Sequence, residues 1–332
     1  MSRRAASDDL VAVRTAVDRS LAGIEAGETV LVACSGGPDS IALAGASAWV
    51  GVRRGLQVRA AVVDHGLQPG SDVTAAAAAR ICQGLGVTDA RVHRVEVGRD
   101  GGLEAAARAA RYGALDDAAA EAGAVAVLLG HTRDDQAETV LLRLARGSGA
   151  RSLSAMAPQA GLWRRPFLGL PRALVRAAAV ELLAPVGESA WADPHNSDRD
   201  FARVRVRALL DGLGADLGPG VVLGLARSAA LLRDDADALE AWADRVEGEV
   251  VAADDAGASA DCSTLLALPA AIRTRVLRAM CLRCGCPAED VGYDLVQRLD
   301  DLVVDWHGQG EVRLPGGVVA ERAYGRLCLR ST

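Results

Sequence analysis

The sequence predicts an α/β protein with a Rossmann-like parallel sheet, helices on both faces, and a smaller, mainly helical C-terminal domain that ends in a β-hairpin. Two observations support this prediction. Short apolar runs alternate with segments of helical periodicity in the first part of the 332-residue chain, which is typical of βαβ units. The hydrophobic fraction is 50%, which is enough for a full α/β core and a second, smaller core.

The predicted elements of the first domain follow one another at regular intervals. The first strand opens at Val30, and a Gly-rich turn and a helix that reaches Trp49 come after it. Ligands of parallel sheets bind at the carboxyl ends of the strands, so we expect the functional residues to lie there. The other strands are predicted over residues 58–63, 91–97 and 125–130, and the other helices over 8–26, 71–85, 103–121, 134–146 and 171–183.

The remaining sequence predicts a second domain. Residues 212–220 contain four glycines and one proline and are interpreted as a linker. We therefore expect a first domain over residues 1–215 and a smaller second domain over residues 216–332. The second domain is predicted to contain a long amphipathic helix from Val222 to Val250, helices near 270–283 and 289–304, and a hairpin of residues 311–314 and 318–322 turned by Pro315-Gly316-Gly317.

Composition excludes several classes of protein. The sequence contains no lysine, so all 37 Lys and Arg residues are arginine, and neither a Walker loop nor a Schiff-base lysine is possible. There is no apolar run of about 18 residues and no apolar segment near the N-terminus, so we expect a cytoplasmic protein without membrane span or signal peptide. Seven scattered cysteines argue against a disulfide framework. The net charge of −6 means that nucleic-acid binding would need local arginine clusters.

The turn after the first strand carries the most specific motif, Ser35-Gly36-Gly37-Pro38-Asp39-Ser40. A strand, a Gly-rich turn and a helix N-terminus form an anion site, because backbone N–H groups converge and the helix dipole adds partial positive charge. Glycine lets the backbone approach a phosphate, and the two serines add hydroxyl donors. A capped βα turn is the alternative, but this combination directly after a strand favours phosphate binding.

A second polar cluster follows the fourth predicted strand, from Gly130 to Thr139. Thr132 and Asp135 have the spacing of a capping box, so a well-capped helix is the alternative interpretation. Capping alone does not explain why His131, two aspartates and Glu138 gather at a strand end beside the phosphate turn. Asp135 and Glu138 share a helix face, where they could hold Mg²⁺ on ATP or bind an ammonium group.

Two arginine-bearing stretches are less specific. Glu104, Arg108 and Arg111 share one helix face, which fits either solvated ion pairs or an arginine directed at an α-phosphate. Residues 193–207 include Asn196 and, near their end, three arginines at alternate positions, which fit either a charged surface or contacts with polynucleotide phosphates. These three arginines are Arg203, Arg205 and Arg207.

Together these stretches resemble the tRNA(Ile)-lysidine synthetase family, and the turn itself resembles the pyrophosphate loop of N-type ATP pyrophosphatases. The match covers roughly the first 210 residues, and a third domain of longer members is not expected. Ser154-Ala155-Met156 departs from the pattern, because a Gly-Met pair is more usual there. The matching segments are Ser-Gly-Gly-Pro-Asp-Ser at 35–40, Val-Asp-His-Gly-Leu at 63–67, Glu-x-x-x-Arg-x-x-Arg-Tyr at 104–112, His-x-x-Asp-Asp-Gln-x-Glu-Thr-x-x-x-Arg at 131–143, Arg-Gly-Ser-Gly at 146–149, Arg-Pro at 165–166, Asp-Pro-x-Asn at 193–196 and Phe-x-Arg-x-Arg-Val-Arg at 201–207.

The resemblance implies an ATP-dependent ligase acting on tRNA(Ile) with a CAU anticodon. It also implies that residues 1–215 form the ATP-pyrophosphatase catalytic domain and that residues 216–332 form the tRNA-contacting domain. The O2 of the wobble cytidine would attack the α-phosphorus of ATP and expel pyrophosphate. The amine of free lysine would then attack C2 and expel AMP, which gives lysidine and changes codon reading from AUG to AUA. The residues that would bind ATP are Ser35, Gly36, Gly37, Pro38, Asp39, Ser40, Asp64 and His65.

The catalytic roles that the resemblance suggests are hypotheses. Asp39 and Asp135 are expected at Mg²⁺ or the phosphates, Glu138 with Asp135 at the lysine amine, and His131 with Arg108 or Arg111 at the α-phosphate. A homodimer is possible. Two alternatives stay open: a non-catalytic nucleotide-binding module, and a tRNA 2-thiolation enzyme of the same ATPase superfamily. Cysteines with metal-like spacing would serve the second alternative, namely Cys281, Cys284 and Cys286.

Overall fold

The computed structural model describes residues 6–98, 102–147, 149–193, 198–254 and 257–331. The chain divides into two compact units, Met1–Leu231 and Leu232–Thr332. This division lies between Leu231 and Leu232, whereas the sequence places the domain boundary between residues 215 and 216.

Strands and helices alternate in the first unit as the sequence predicts. Its strands are β1 (Thr29–Ala33), β2 (Gln57–Asp64), β3 (Asp89–Arg94), β4 (Ala124–Leu128), β5 (Gln159–Ala160) and β6 (Trp163–Arg164). Its helices are α1 (Asp8–Ser20), α2 (Pro38–Arg54), α3 (Ser71–Gly84), α4 (Leu103–Ala122), α5 (Arg133–Leu144), α6 (Ala150–Leu153), α7 (Arg172–Leu183) and α8 (Ala202–Leu217). A further helix, α9 (Val221–Val250), runs from the first unit into the second.

The strands of the first unit form a mixed, mostly parallel sheet. Among the described residues its order is β3-β2-β1-β4-β6-β5, and every pair is parallel except β5 with β6. The chain proceeds to one side of β1 through β2 and β3, and then crosses to the other side with β4. Ligands of open α/β sheets bind outside the carboxyl ends of the strands at such a switch point. The turns after β1 and β4 meet there, and they carry the two strongest motifs.

Helices cover both faces of this sheet, which confirms the predicted fold class. On one face Val30 and Val32 of β1 lie in a core shared with α1, α2, α3 and α7. On the other face Leu31 lies in a smaller core with Leu115 and Ala119 of α4. Alternate residues of a strand point to opposite faces. Burial on both faces therefore explains why β1 is a continuous apolar run in the sequence.

The second unit combines helices with an antiparallel sheet. The predicted hairpin is confirmed as β9 (Val312–Leu314) and β10 (Val318–Ala323). The sheet also contains three strands that the sequence analysis did not predict: β7 (Val251–Asp254), β8 (Gly257–Asp261) and β11 (Arg326–Ser331). Among the residues that the structure describes, the strand order is β7-β8-β11-β10-β9. The helices are α10 (Cys262–Ala267), α11 (Ala270–Arg283) and α12 (Tyr293–Val304), which pack on one face of the sheet.

The predicted linker over residues 212–220 is wrong in its first part. α8 continues through Leu217, so only residues 218–220 separate it from α9. A glycine inside a helix costs only about 1 kcal/mol relative to alanine, and Leu213 and Ala215 are good helix formers. No single helix in the described part of the chain is long and apolar enough to cross a membrane, although α8 and α9 taken as a bent pair meet the same length and composition test.

Candidate functional site

The turn between β1 and α2 has the geometry of a phosphate-binding loop. Gly36 has a φ of +80°, and a Cβ at this position would lie 3.1 Å from Cβ of Ala78, so glycine is required there. Gly37 is the N-cap of α2, and Pro38 begins the helix. Ser35 is exposed at the tip of the turn. A ligand in solvent can therefore reach the N-terminus of α2.

Ser40 holds the turn together from inside. Its Oγ accepts a hydrogen bond of 3.1 Å from the backbone N–H of Ser35 and donates one of 2.9 Å to the carbonyl of Gly37. Only 8% of Ser40 is exposed. The Ser40 hydroxyl therefore shapes the loop, and the Ser35 hydroxyl is the one placed to meet a ligand.

The segment after β4 lies directly against the start of α2. A Cβ on Gly130 would lie 3.1 Å from the carbonyl oxygen of Asp39 and 3.4 Å from the backbone nitrogen of Ser40. This approach is closer than a side chain normally allows, so glycine lets the two backbones touch. The structure thus brings the phosphate turn and the second motif together, as the strand order requires.

Asp39, in the first turn of α2, is half-buried, and one of its carboxylate oxygens is buried without a partner among the described residues. Burial and the nearby charge of Asp135 raise its pKa to about 6, although Arg172 and Arg176 act in the opposite direction. Its Oδ1 is buried and has no hydrogen-bond partner within the described ranges. A buried carboxylate oxygen without a partner points to a missing ligand or cation.

His65, after β2, and His131, after β4, are both held in the neutral form. Burial and the charge of Arg111 lower the pKa of His65. Burial also lowers the pKa of His131 to about 3, helped by Arg111 and opposed by Asp135. Nδ1 of each ring and Nε of Arg111 are buried, and no described residue bonds them. Arg111 therefore lies close to both imidazoles.

The two arginines predicted on α4 differ in their surroundings. The Arg108 guanidinium lies 4.9 Å from the ring centre of Tyr112, and its Nη2 is 3.3 Å from the Tyr112 hydroxyl. Tyr112 in turn packs edge-to-face on Trp163, with 4.8 Å between the ring centres. Arg111 lowers the pKa of His131 more strongly than Arg108 does. Of the two, Arg111 therefore interacts more closely with His131.

Asp135 and Glu138 lie one turn apart on α5, and both accept hydrogen bonds from Arg172 of α7. Nη2 of Arg172 is 2.8 Å from Oδ1 of Asp135 and 2.8 Å from Oε1 of Glu138. The same Oε1 accepts a 3.0 Å bond from Nε of Arg207 on α8. Glu138 is 3% exposed and Arg172 is 9% exposed. The two carboxylates predicted to bind cations are thus already paired with guanidinium groups of this chain.

Asp135 also forms the capping box predicted at the start of α5. The backbone N–H and the hydroxyl of Thr132 both donate to its Oδ2, each at 2.7 Å. Burial opposes ionisation, but Arg172 and the Thr132 N–H hold the pKa of Asp135 below its usual range. Since both carboxylate oxygens already have partners, a metal ion fits Asp39 better than Asp135.

The three arginines of residues 201–207 all have partners within this chain, and their contact with polynucleotide phosphates stays a prediction. Arg203 pairs with Glu104 at 3.5 Å, and Arg207 pairs with Glu138. Arg205 donates to two nearby backbone carbonyls. Asn196 lies outside the described residues, as does Ser148 of the Arg-Gly-Ser-Gly segment. Arg203 and Arg207 therefore join α8 to α4 and to α5, whereas Arg205 bonds the segment that precedes α8.

Arg172 is the main site residue absent from the sequence predictions. A sequence signal for it exists, because an arginine in the first turn of a helix opposes the helix dipole unless acids compensate it. Nothing in the local sequence shows that these acids lie more than 30 residues earlier, at Asp135 and Glu138.

The cysteines considered for thiolation chemistry lie in the second unit. Burial raises the pKa of Cys281 to about 12, with a smaller contribution from its neighbours Cys286 and Cys284. No group of three or more His, Cys, Asp or Glu side chains in the described ranges could hold a metal ion. Cysteine-based thiolation therefore gains no support from this geometry.

Comparisons with known proteins agree with the geometry of the site. A model of the PP-loop domain matches residues 12–212, so the first unit is an ATP-using domain of the PP-loop class. The tRNA(Ile)-lysidine synthase of Thermobifida fusca is 52% identical over 317 residues, which is 95% of both chains. This chain belongs to the tRNA(Ile)-lysidine synthase family, whose members are ligases, and the resemblance stated from the motifs is confirmed.

Further matches cover the second unit and the fold. The tRNA(Ile)-lysidine synthase of Streptomyces coelicolor is 50% identical over 312 residues, which is 93% of this chain and 87% of that protein. A model of the TilS substrate binding domain matches residues 261–328. A U34-tRNA thiolase from Methanococcus maripaludis, solved with its [4Fe-4S] cluster, has a TM-score of 0.57 and covers 68% of this chain and 80% of its own. At 17% identity this likeness concerns the fold alone.

Proposed function

We propose that this chain ligates free L-lysine to C2 of the wobble cytidine in tRNA(Ile) with a CAU anticodon. In the first step the cytidine O2 attacks the α-phosphorus of ATP, and pyrophosphate leaves. In the second step the lysine amine attacks the activated C2, its proton is lost, and AMP leaves. The product is lysidine, which changes codon reading from AUG to AUA. Family membership supports this reaction.

One observation carries the proposal at the level of residues. Among the described residues nine side chains bury a polar atom that has no hydrogen-bond partner, and four of them were predicted from the sequence as site residues, namely Asp39, His65, Arg111 and His131. Buried polar groups in native proteins nearly always have partners. Their concentration beside a glycine-rich helix N-terminus is what a site built for ATP requires.

The phosphates of ATP are assigned to the loop. The backbone amides around Gly36 and Gly37, the Ser35 hydroxyl and the dipole of α2 favour the negative charge of a phosphate. The adenosine is assigned to the turn after β2, where Asp64 accepts a 2.9 Å bond from the Gly66 N–H and His65 presents its unpaired Nδ1.

The α-phosphate is assigned to Arg111 and His131. The Arg111 guanidinium is placed to stabilise the charge that develops on the phosphoryl oxygens during adenylyl transfer. His131 stays neutral at pH 7, so it acts as a hydrogen-bond donor rather than as a charge. When bound, Mg²⁺ would neutralise phosphate charge, and the unpaired Oδ1 of Asp39 fits such a hard cation.

The lysine amine is assigned to Glu138 with Asp135. Both guanidinium groups that contact Glu138 bond its Oε1, and among the described residues none bonds its Oε2. We assign the contact with the amine to Oε2. Contact of the second unit with tRNA, a homodimer and a cytoplasmic location stay predictions, and native mass spectrometry with and without tRNA tests the first two.

The test is incubation with ATP, labelled lysine and a CAU-anticodon tRNA(Ile) transcript, followed by nucleoside analysis. We expect a labelled nucleoside with the mass of lysidine, and release of AMP and pyrophosphate that depends on the transcript. A matched transcript with uridine at the wobble position should give no labelled nucleoside. Absence of lysidine with the CAU transcript, under conditions where the protein is folded, would contradict the proposal.

A further inference from the structure

Arg172 contacts three acidic residues of one segment. Its backbone N–H donates to Oδ2 of Asp134 at 2.8 Å, and its Nη2 reaches Asp135 and Glu138. The neighbouring backbone bond, from the Arg133 N–H to the Leu170 carbonyl, measures 2.9 Å. The start of α7 is therefore joined to the start of α5 through both backbone and side chain.

The backbone contacts already attach the two helices, so the guanidinium has a separate effect. The N-cap of α7 is Pro171, which has no side-chain cap, and Asp134 satisfies the Arg172 N–H instead. These bonds would survive replacement of the Arg172 side chain. The guanidinium adds a nitrogen, Nη2, that carries two N–H groups. Asp135 and Glu138, which lie one turn apart on α5, each have a carboxylate oxygen 2.8 Å from this nitrogen.

The Arg172 guanidinium fixes the orientation of the Glu138 carboxylate. Arg172 and Arg207 both bond Oε1, which turns that oxygen toward the protein and leaves Oε2 without a bond to any described residue. The Arg172 side chain is 11% exposed and the Arg207 side chain is 31% exposed. Arg172 is thus the enclosed member of the pair, and it also fixes Asp135.

We propose that Arg172 is the positioning residue of the lysine site, because it holds Glu138 and Asp135 so that Glu138 Oε2 faces the lysine amine. This inference rests on the proposed function. Arg172 itself does not touch the reacting atoms. Lysine at this position would conserve the charge, but its ammonium nitrogen is one bond closer to the backbone than Nη2, so it would not reproduce both bonds at the same length.

The experiment measures kcat and the KM values for lysine and for ATP in wild type, Arg172→Gln and Arg172→Lys. We expect Arg172→Gln to raise KM for lysine by about 10-fold or more, the range for loss of a charge-assisted hydrogen bond. KM for ATP should change by less than about 3-fold, because the phosphate turn keeps its contacts. Arg172→Lys should give a lysine KM between those of wild type and Arg172→Gln.

Arg273→Gln is the matched control, because Arg273 is 8% exposed and paired with Asp300 in the second unit. It should lower the melting temperature without changing KM for lysine. A purely structural role for Arg172 would make Arg172→Gln behave in the same way.

The outcomes separate this inference from the proposed function. If wild type forms no lysidine, the proposed function fails and the inference fails with it. If wild type is active and folded Arg172→Gln has an unchanged KM for lysine, only the inference is overturned. If Arg172→Gln does not fold, the lysine KM of Arg172→Lys decides in the same sense. If neither variant folds, Arg172 is a structural residue and the inference is overturned.

Discussion

Each unit of the molecule buries an arginine among carboxylates, but the two arrangements differ. In the second unit Nε and Nη2 of Arg273 lie 2.6 and 3.2 Å from the two oxygens of Asp300, and Nη1 donates to the Leu268 carbonyl at 3.0 Å. One cation thus matches one anion. In the first unit Arg172 is divided between Asp135 and Glu138, and nearby Asp39 keeps a buried oxygen without a partner among the described residues.

The difference distinguishes a structural ion pair, Arg273–Asp300, from the arrangement around Arg172, which has the features of a ligand-binding site. The Arg273–Asp300 pair satisfies its own charges and lies within the core of the second unit, so we assign it to stability. Around Arg172, burial and like charges leave Asp39 with a raised pKa and His131 with a lowered pKa. Perturbed pKa values of this kind concentrate where charge is arranged for a reaction. Such arrangements are usually less stable than the fold could otherwise be.

The largest expected effect on stability comes from breaking the Arg273–Asp300 ion pair. Arg273→Leu or Asp300→Leu alone leaves one buried charge unpaired and should cost about 3–5 kcal/mol. The double variant Arg273→Leu/Asp300→Leu should recover most of this loss, because no charge remains buried. Urea unfolding of all three variants measures the free energies. A double variant that is as unstable as the sum of the single ones would show that the pair is not a self-contained structural contact.

Asp135→Asn is expected to act mainly on activity. It removes the charge shared with Arg172 and should lower lysidine formation by about 10²–10³-fold, as loss of a preorganised charged contact does. Asp300→Asn, the matched control in the second unit, should destabilise the protein and leave kcat/KM of the folded fraction near wild type. The measurement is initial rates at a temperature where both variants are folded. Intact lysidine formation by Asp135→Asn would remove the carboxylate from the mechanism.

Asp39→Asn should stabilise the free protein at neutral pH. Because its pKa is raised to about 6, folding disfavours the charged form, and this carboxyl contributes stability below about pH 4 that is lost as pH rises through 6. Two pKa units correspond to at most about 3 kcal/mol, so we expect a gain of about 2 kcal/mol at pH 7 that vanishes near pH 4. Unfolding at both pH values, in the presence of a chelator, measures the gain.

The control for this prediction is Asp116→Asn, an exposed aspartate on α4. It should change stability by less than about 0.5 kcal/mol at either pH. An equal gain from Asp39→Asn at pH 4 and pH 7 would contradict the proton-linked explanation.

The smallest effect is expected at Ala155, next to the first unit's site. Ala155 has a φ of +52°, and Gln136 bonds both the N–H and the carbonyl of the next residue, Met156, at 2.8 Å. Left-handed backbone costs alanine about 1–2 kcal/mol. Ala155→Gly should therefore stabilise the protein by about 0.5–1 kcal/mol, net of the entropy of glycine. Ala230→Gly in α9, at an exposed helical position, should destabilise it by a similar amount, and thermal unfolding compares the two.

Much of the first unit could be predicted from sequence because its signals are local. β1 and the turn that follows it need adjacent residues with fixed backbone geometry, and glycine at position 36 reports the positive φ directly. In the family pattern a glycine is usual at the position of Ala155, and the positive φ of Ala155 explains that preference in the same way. Burial on both faces also makes β1 and β4 continuous apolar runs, which distinguishes them from the surrounding helices, whereas the edge strand β3 is more polar and more accessible.

Partners that are distant in sequence could not be predicted. Arg172 and Arg207 reach acids 34 and 69 positions away, and nothing in the local sequence identifies those partners. β7 and β8 consist largely of alanine and other small residues, so they lack an alternating apolar pattern. β11 has that pattern, since Leu327 and Leu329 are buried between more accessible neighbours, and it could have been predicted.

The contact between Gly130 and the Asp39 carbonyl joins the backbone after β4 to the first turn of α2. A Cβ on residue 130 would lie 3.1 Å from that carbonyl oxygen, so any substitution there requires one of the two backbones to move by a few tenths of an ångström. Because Asp39 lies on one side of this contact and His131 follows on the other, such a movement would change the spacing between these two predicted site residues.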